Sequence, residues 1–206
     1  MSPDPGGTEE AGGQPLVIDG ILGQWDASIA RHGIVEAGPH ATYEAARALD
    51  FRRVEDPIVS AAFFLRGLPA RLRGVHEAPP ERIVLGEPDG LRGWVVLGLA
   101  PDREIAFGAI GEVWQPRITW REVPAESFAA FAEPGLTKLA CAFVVSSYGA
   151  TRSLLTYECR VLATDAAARA SFLRYFELVR PVVGHVLAAT VRVICADAAR
   201  VSGGGR

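Results

Sequence analysis

Residues 165–198 read DAAARASFLRYFELVRPVVGHVLAATVRVICADA, and the fold turns on how this stretch is read. Phe172, Phe176, Val179, Val183, Val186, Thr190 and Ile194 recur at i, i+3, i+4 spacing, which predicts one long helix capped by Thr164 or Asp165. Pro181 lies inside it. Proline removes a backbone donor and collides with the carbonyl four residues earlier, yet the stripe keeps its phase on both sides. The expectation is therefore a bend near Glu177 to Pro181, not a break.

Upstream, the period changes from helical to two. LTKLACAFVVSS and RSLLTYECRVLA read as two strong strands joined by a short turn containing Gly149. A register that gathers Leu139, Cys141, Phe143 and Val145 with Leu155, Tyr157, Cys159 and Val161 puts Lys138, Thr156, Glu158 and Arg160 on the other face. Side chains alternate strictly along a strand, so the choice is all or nothing. Further strands are expected at Arg82 to Leu85, Gly93 to Leu99, Glu104 to Trp114 and Ile118 to Val123, with a brief helix in AESFAAFA. The chain before them gives a strand at Ile29 to Ala37, a short helix over residues 40–50, and a second helix opening at Pro57 with Asp56 as its cap. A sheet must bury its apolar face, and only the terminal helix is long enough to cover it. The fold class expected is α+β: a curved antiparallel sheet wrapped around a long C-terminal helix, with two short helices after the first strand.

The 206 residues, 49% of them hydrophobic, suffice for one well-filled core. The expected boundaries are a disordered Gly/Pro/acidic tail at 1–15, one domain at 16–199, and a disordered tail at 200–206. The N-terminus lacks the basic and apolar regions of a secretory signal. Twenty-one basic side chains face 24 acidic ones, and the arginines are scattered among acids, which argues against a nucleic-acid partner. Lys138 is the only lysine, and Asn is absent, a bias that fits genome composition. Three cysteines, widely spaced and without a C-x-x-C pair, point to a reducing cytoplasmic home. The register brings Cys141 and Cys159 together, where two buried thiols packing as small hydrophobes are preferred over a disulfide or ligand pair.

The segment PIVSAAFFLRGLPARLRG, residues 57–74, can be read as a membrane anchor, a buried helix or a lid. Its apolar run is far shorter than the ~20 residues of a bilayer span, so no transmembrane segment is expected, and contact with a membrane surface would be transient. The other two readings stay open: a core helix followed by a surface loop, or a movable rim with Phe63, Phe64 and Leu68 at a cavity mouth.

ARHGIVEAGPHATYEAARAL, LRGLPARL, REIAFGAIGEVWQP, FAAFAEPGLTKLACAF and TYECRVLATDAAARASFLRYFELVRP together resemble the START-like (SRPBCC) helix-grip superfamily. That superfamily includes proteins of the birch-pollen-allergen, polyketide cyclase/dehydrase and lipid-transport types, and the segments are similar to a bacterial subgroup of it. The resemblance covers residues 27–198 and rests on no single diagnostic motif. It implies a cavity between sheet and terminal helix that holds a hydrophobic molecule. Trp94, Phe107, Phe143, Tyr157, Phe172, Phe176, Val179 and Val183 are the expected lining.

Two residues are candidates for chemistry. His32, in mid-strand, could shuttle a proton or hydrogen-bond a ligand carbonyl, or be a satisfied polar group. Tyr157 offers an apolar body and one donor, and could equally be a core tyrosine. Glu158 and Arg160 are expected as an exposed charge set. No G-x-S-x-G, H-E-x-x-H or G-x-x-x-x-G-K occurs, and no metal set or cofactor is expected. Three functions remain: a binder of a hydrophobic small molecule, an aromatase/cyclase-type enzyme using His32 or Tyr157, and an interaction module whose cavity is filled by its own side chains. Oligomeric state is not legible.

Overall fold

The computed structural model describes residues 14–54, 84–85 and 93–203. Its elements run α1 (Val17–Ile21), β1 (Ala27–Val35), α2 (Pro39–Arg47), a 3-10 turn (Phe51–Arg53), β2 (Trp94–Ala100), β3 (Glu104–Gly111), β4 (Trp120–Arg121), α3 (Ala125–Phe128), β5 (Thr137–Tyr148), β6 (Arg152–Ala163) and α4 (Ala166–Gly203). Six strands form one antiparallel sheet in the order β1-β6-β5-β3-β2, with β4 pairing β3. The sheet is curved and the long helix α4 packs on it against β1, β6 and β5, with α2 alongside. This is the helix-grip arrangement expected. The second short helix expected from Pro57, with Phe63, Phe64 and Leu68, lies outside the described residues.

The strong alternation of the last two strands sets their register. Cys141 stands opposite Cys159 and Phe143 opposite Tyr157, across a hairpin whose turn places Gly149 at φ 71°. One face of the sheet carries Ile29, Val35, Ile105, Phe107, Cys141, Phe143, Leu155 and Tyr157, and it meets Leu187, Val191 and Ile194 of α4 in a single buried cluster. Phe172, near the start of α4, belongs to a second cluster with Val113 and Val161. Pro181 does not interrupt the helix, which continues to Gly203, beyond the boundary expected at 199. Its most apolar window, of mean hydropathy 1.6, would by length and composition suit a membrane, and unbroken-run counting misses this because single charges punctuate it. Packing on the sheet accounts for one face of this window, of which a third is buried.

Asp165 starts α4. Its carboxylate accepts from the backbone N–H of Ala168 (2.8 Å) and of Gly135 (2.5 Å), and these bonds hold its carboxyl below the usual carboxylate range. A depressed folded pKa contributes stability that is complete above the ordinary aspartate value and is lost as pH falls through the depressed one. Asp165→Ala is therefore expected to flatten the acid limb of melting temperature against pH. Parallel curves for variant and parent would show that the bonds do not act on the ionised form.

Three expectations need correction. Cys141 and Cys159, directly opposed on neighbouring strands with their Cα atoms 4.1 Å apart, form a disulfide. The cysteine argument for a reducing compartment therefore fails, since such bonds persist in oxidising surroundings. Second, α4 is not the sheet's only cover: on the face away from it Ile18, Leu22, Ile110, Phe128, Leu136, Ala140 and Ala142 form a buried layer under α1 and α3. Buried Glu104 anchors that layer by accepting from the N–H of Val17 (2.5 Å) and Ile18 (2.8 Å), orphan donors at the start of α1. Third, Glu158 and Arg160 are not an exposed charge set. Arg160, 5% exposed, donates to Glu158 (2.8 and 3.2 Å), to Asp19 (2.7 Å) and to the Leu22 carbonyl (3.2 Å), with its guanidinium 4.3 Å from the Trp25 ring centroid. Sequence alternation places it on the outer face, and the short helix α1 is what covers it.

Candidate functional site

The helix-facing side of the sheet is built around aromatic rings. β6 supplies Tyr157, β5 Phe143, β3 Phe107 and β2 Trp94, because residues paired across neighbouring strands share a face. Their centroids run Tyr157 to Phe143 at 4.5 Å, Phe143 to Phe107 at 5.4 Å, Phe107 to Trp94 at 5.6 Å and Trp94 to Trp120 at 6.1 Å. Phe51, from the 3-10 turn, lies 6.4 Å from both Phe107 and Phe143. The result is a continuous wall with offset and tilted ring contacts.

Burial divides the expected lining into two layers. Phe107 and Phe143 are buried and serve as backing, while Phe172 is buried in the second cluster, beside Phe176. Trp94, Phe176, Val179 and Val183 are half-buried and keep part of their apolar surface uncovered. Phe51, which sequence reasoning did not single out, and Trp120, whose face strand parity left open, are half-buried in the same way. Neither gives a periodic signal, one lying in a single 3-10 turn and the other in a two-residue strand. Phe63, Phe64 and Leu68, expected at the mouth, lie outside the described residues.

Tyr157 is the polar group of the wall. Burial holds its hydroxyl well above the usual phenol range, so at neutral pH it is a donor and not a base. His32 lies elsewhere. It pairs with Thr156 in the ladder, whereas Arg31 pairs with Tyr157, so the imidazole projects from the opposite face. There it is exposed, with Nδ1 2.8 Å from Thr156 Oγ1. This is the satisfied polar group that was the alternative reading of His32. Among the described residues no three His, Cys, Asp or Glu side chains stand close enough together to hold a metal.

No family model and no curated protein matches the chain. Among solved structures it is similar to a truncated norcoclaurine synthase from Thalictrum flavum, at 11% identity and TM-score 0.41, over 82% of this chain and 91% of that one. It is also similar to the Zhui aromatase/cyclase from Streptomyces sp. R1128, at 15% identity and TM-score 0.36, over 87% and 98%. The di-domain ARO/CYC StfQ from the steffimycin biosynthetic pathway overlaps at 11% identity and TM-score 0.39, over 86% of this chain and 53% of that one. Likenesses this distant say nothing about what this chain binds or catalyses.

Proposed function

We propose that the chain is a START-like protein that binds a hydrophobic small molecule, of lipid, isoprenoid or polyketide-like character, against the aromatic wall between sheet and α4. The observation that carries this is the half-buried edge of the wall, where Trp94, Trp120, Phe51, Phe176 and Val183 leave apolar surface uncovered beside fully packed rings. Covering such surface contributes about 25 cal/mol per Å². Tyr157 supplies a donor that orients a ligand carbonyl or hydroxyl. Binding is favoured over a cyclase reaction because His32 is on the far face and Tyr157, held protonated, offers a donor but no base.

The test uses N-phenyl-1-naphthylamine, a neutral apolar probe whose fluorescence rises on leaving water. Saturable uptake is expected. Trp94→Ala and Phe176→Ala should each weaken it by about tenfold, the equivalent of an aromatic contact partly lost. Tyr157→Phe should leave this probe unaffected while weakening 2-naphthol, which carries a hydroxyl. Absence of saturable uptake by a folded chain would overturn the reading in favour of a wall covered by the protein's own side chains.

A further inference from the structure

Among the described residues β1 ends the order of the sheet, and its outer edge runs beside α4. Strand and helix enclose two hollows that share Arg31. The smaller, about 430 Å³, is lined by Ser28, Ile29, Ala30, Arg31, Arg180 and Pro181. The larger, about 610 Å³, continues past Arg31 along the apolar surface of Gly33, Ile34, Val191, Cys195 and Ala199.

Two glycines shape this groove. A Cβ on Gly33 would stand 2.7 Å from Val191 Cγ1 and 3.0 Å from Cys195 Sγ, so only glycine lets the helix come this close to the strand. A Cβ on Gly184 would overlap the Arg31 guanidinium, which fills the notch that glycine leaves in α4. Arg31 donates to the carbonyl of its own neighbour, Ala30, at 2.8 Å. Neither Arg31 nor Arg180 has a carboxylate partner among the described residues, whereas Arg53, Arg121, Arg152, Arg160 and Arg169 each have one. Glu36 also lines the larger hollow, but Arg152 stands 3.7 Å from it, and His32 there is held by Thr156. One end of the groove is thus cationic and uncompensated, and the other is mainly apolar, with Arg192, which has an interaction of its own, also lining it.

We propose that this groove binds a single-chain amphiphile with an anionic head, a carboxylate or a phosphate. Arg31 and Arg180 take the head, and the alkyl chain lies along Gly33, Val191, Cys195 and Ala199. No ring of the aromatic wall lines either hollow, so this site is independent of the one proposed above.

Calorimetric titration of the full chain with dodecanoate, dodecyl phosphate, dodecanol, acetate and inorganic phosphate tests it. Both anionic amphiphiles should bind saturably, dodecanol at least about tenfold more weakly, and the two small anions not measurably. The stronger of the two amphiphiles identifies the head. Arg31→Gln and Arg180→Gln should each weaken the anionic amphiphiles by about tenfold, and the double variant should bind them no better than dodecanol. Uptake of N-phenyl-1-naphthylamine should not change in these variants, which separates this site from the wall. Dodecanoate should also slow alkylation of Cys195 by N-ethylmaleimide. Unaltered dodecanoate affinity in the double variant, dodecanol binding as tightly as dodecanoate, or free phosphate binding as tightly as dodecyl phosphate would each overturn the proposal.

Discussion

Phe143→Ala is expected to lower the unfolding free energy by about 4 kcal/mol, read as a fall in the urea midpoint at unchanged slope. The ring is 0% exposed and contacts Tyr157, Phe107 and Phe51, so its removal costs both transfer free energy and the void left behind. Backbone pairing on both sides of β5 restricts how far the site can collapse. Leu178→Ala, at a position 80% exposed, is the matched control and should shift stability by less than about 0.5 kcal/mol. A loss below about 1 kcal/mol at Phe143 would mean that the wall is loosely packed and that its rings do not form a fixed surface.

Arg160→Met is expected to cost about 3 kcal/mol, because it keeps the volume but leaves two carboxylates without their cation. The Arg160 side chain is 7% exposed and that of Glu158 18%, so Glu158 suffers more than Asp19, which is 47% exposed. The loss should persist at high salt, since a covered pair is poorly screened. A triple variant, Arg160→Met with Glu158→Gln and Asp19→Asn, should recover most of it. If the single variant loses no more than an exposed ion pair would, about 1 kcal/mol or less, then the contact of α1 with the outer face is not held by this cluster.

How much of this was legible depended on the strength of each local pattern. Phe143 opposite Tyr157 followed from two twelve-residue strands whose bulky apolar residues alternate with smaller or polar ones, leaving one acceptable register. The same alternation placed Arg160 and Lys138 on the outer face correctly, but the exposure expected for Arg160 was wrong. What covers that face is α1, five residues long, and α3, four residues long, both too short to show a helical period. Ala140 and Ala142 mark that layer only by being small, so that Phe128 and Ile18 can approach. For His32 the sequence left two readings open, because β1 carries Gly33 and His32 in its centre, which blurs its alternation, and only pairing with Thr156 fixes its face. The disulfide was within reach, since the register already set Cys141 beside Cys159, but sequence gives no distance between facing residues. The arginine groove was not legible at all, because it joins an edge strand to a helix about 150 residues later in the chain.

Native mass spectrometry of the freshly purified full chain tests the central claim most directly. A binder of hydrophobic small molecules is expected to carry a non-covalent mass of a few hundred daltons that organic extraction removes and that N-phenyl-1-naphthylamine displaces. Trp94→Ala should retain less of it. A spectrum at the bare chain mass, together with failure of the stripped protein to take up the probe, would contradict the account and leave the aromatic wall as core packing alone.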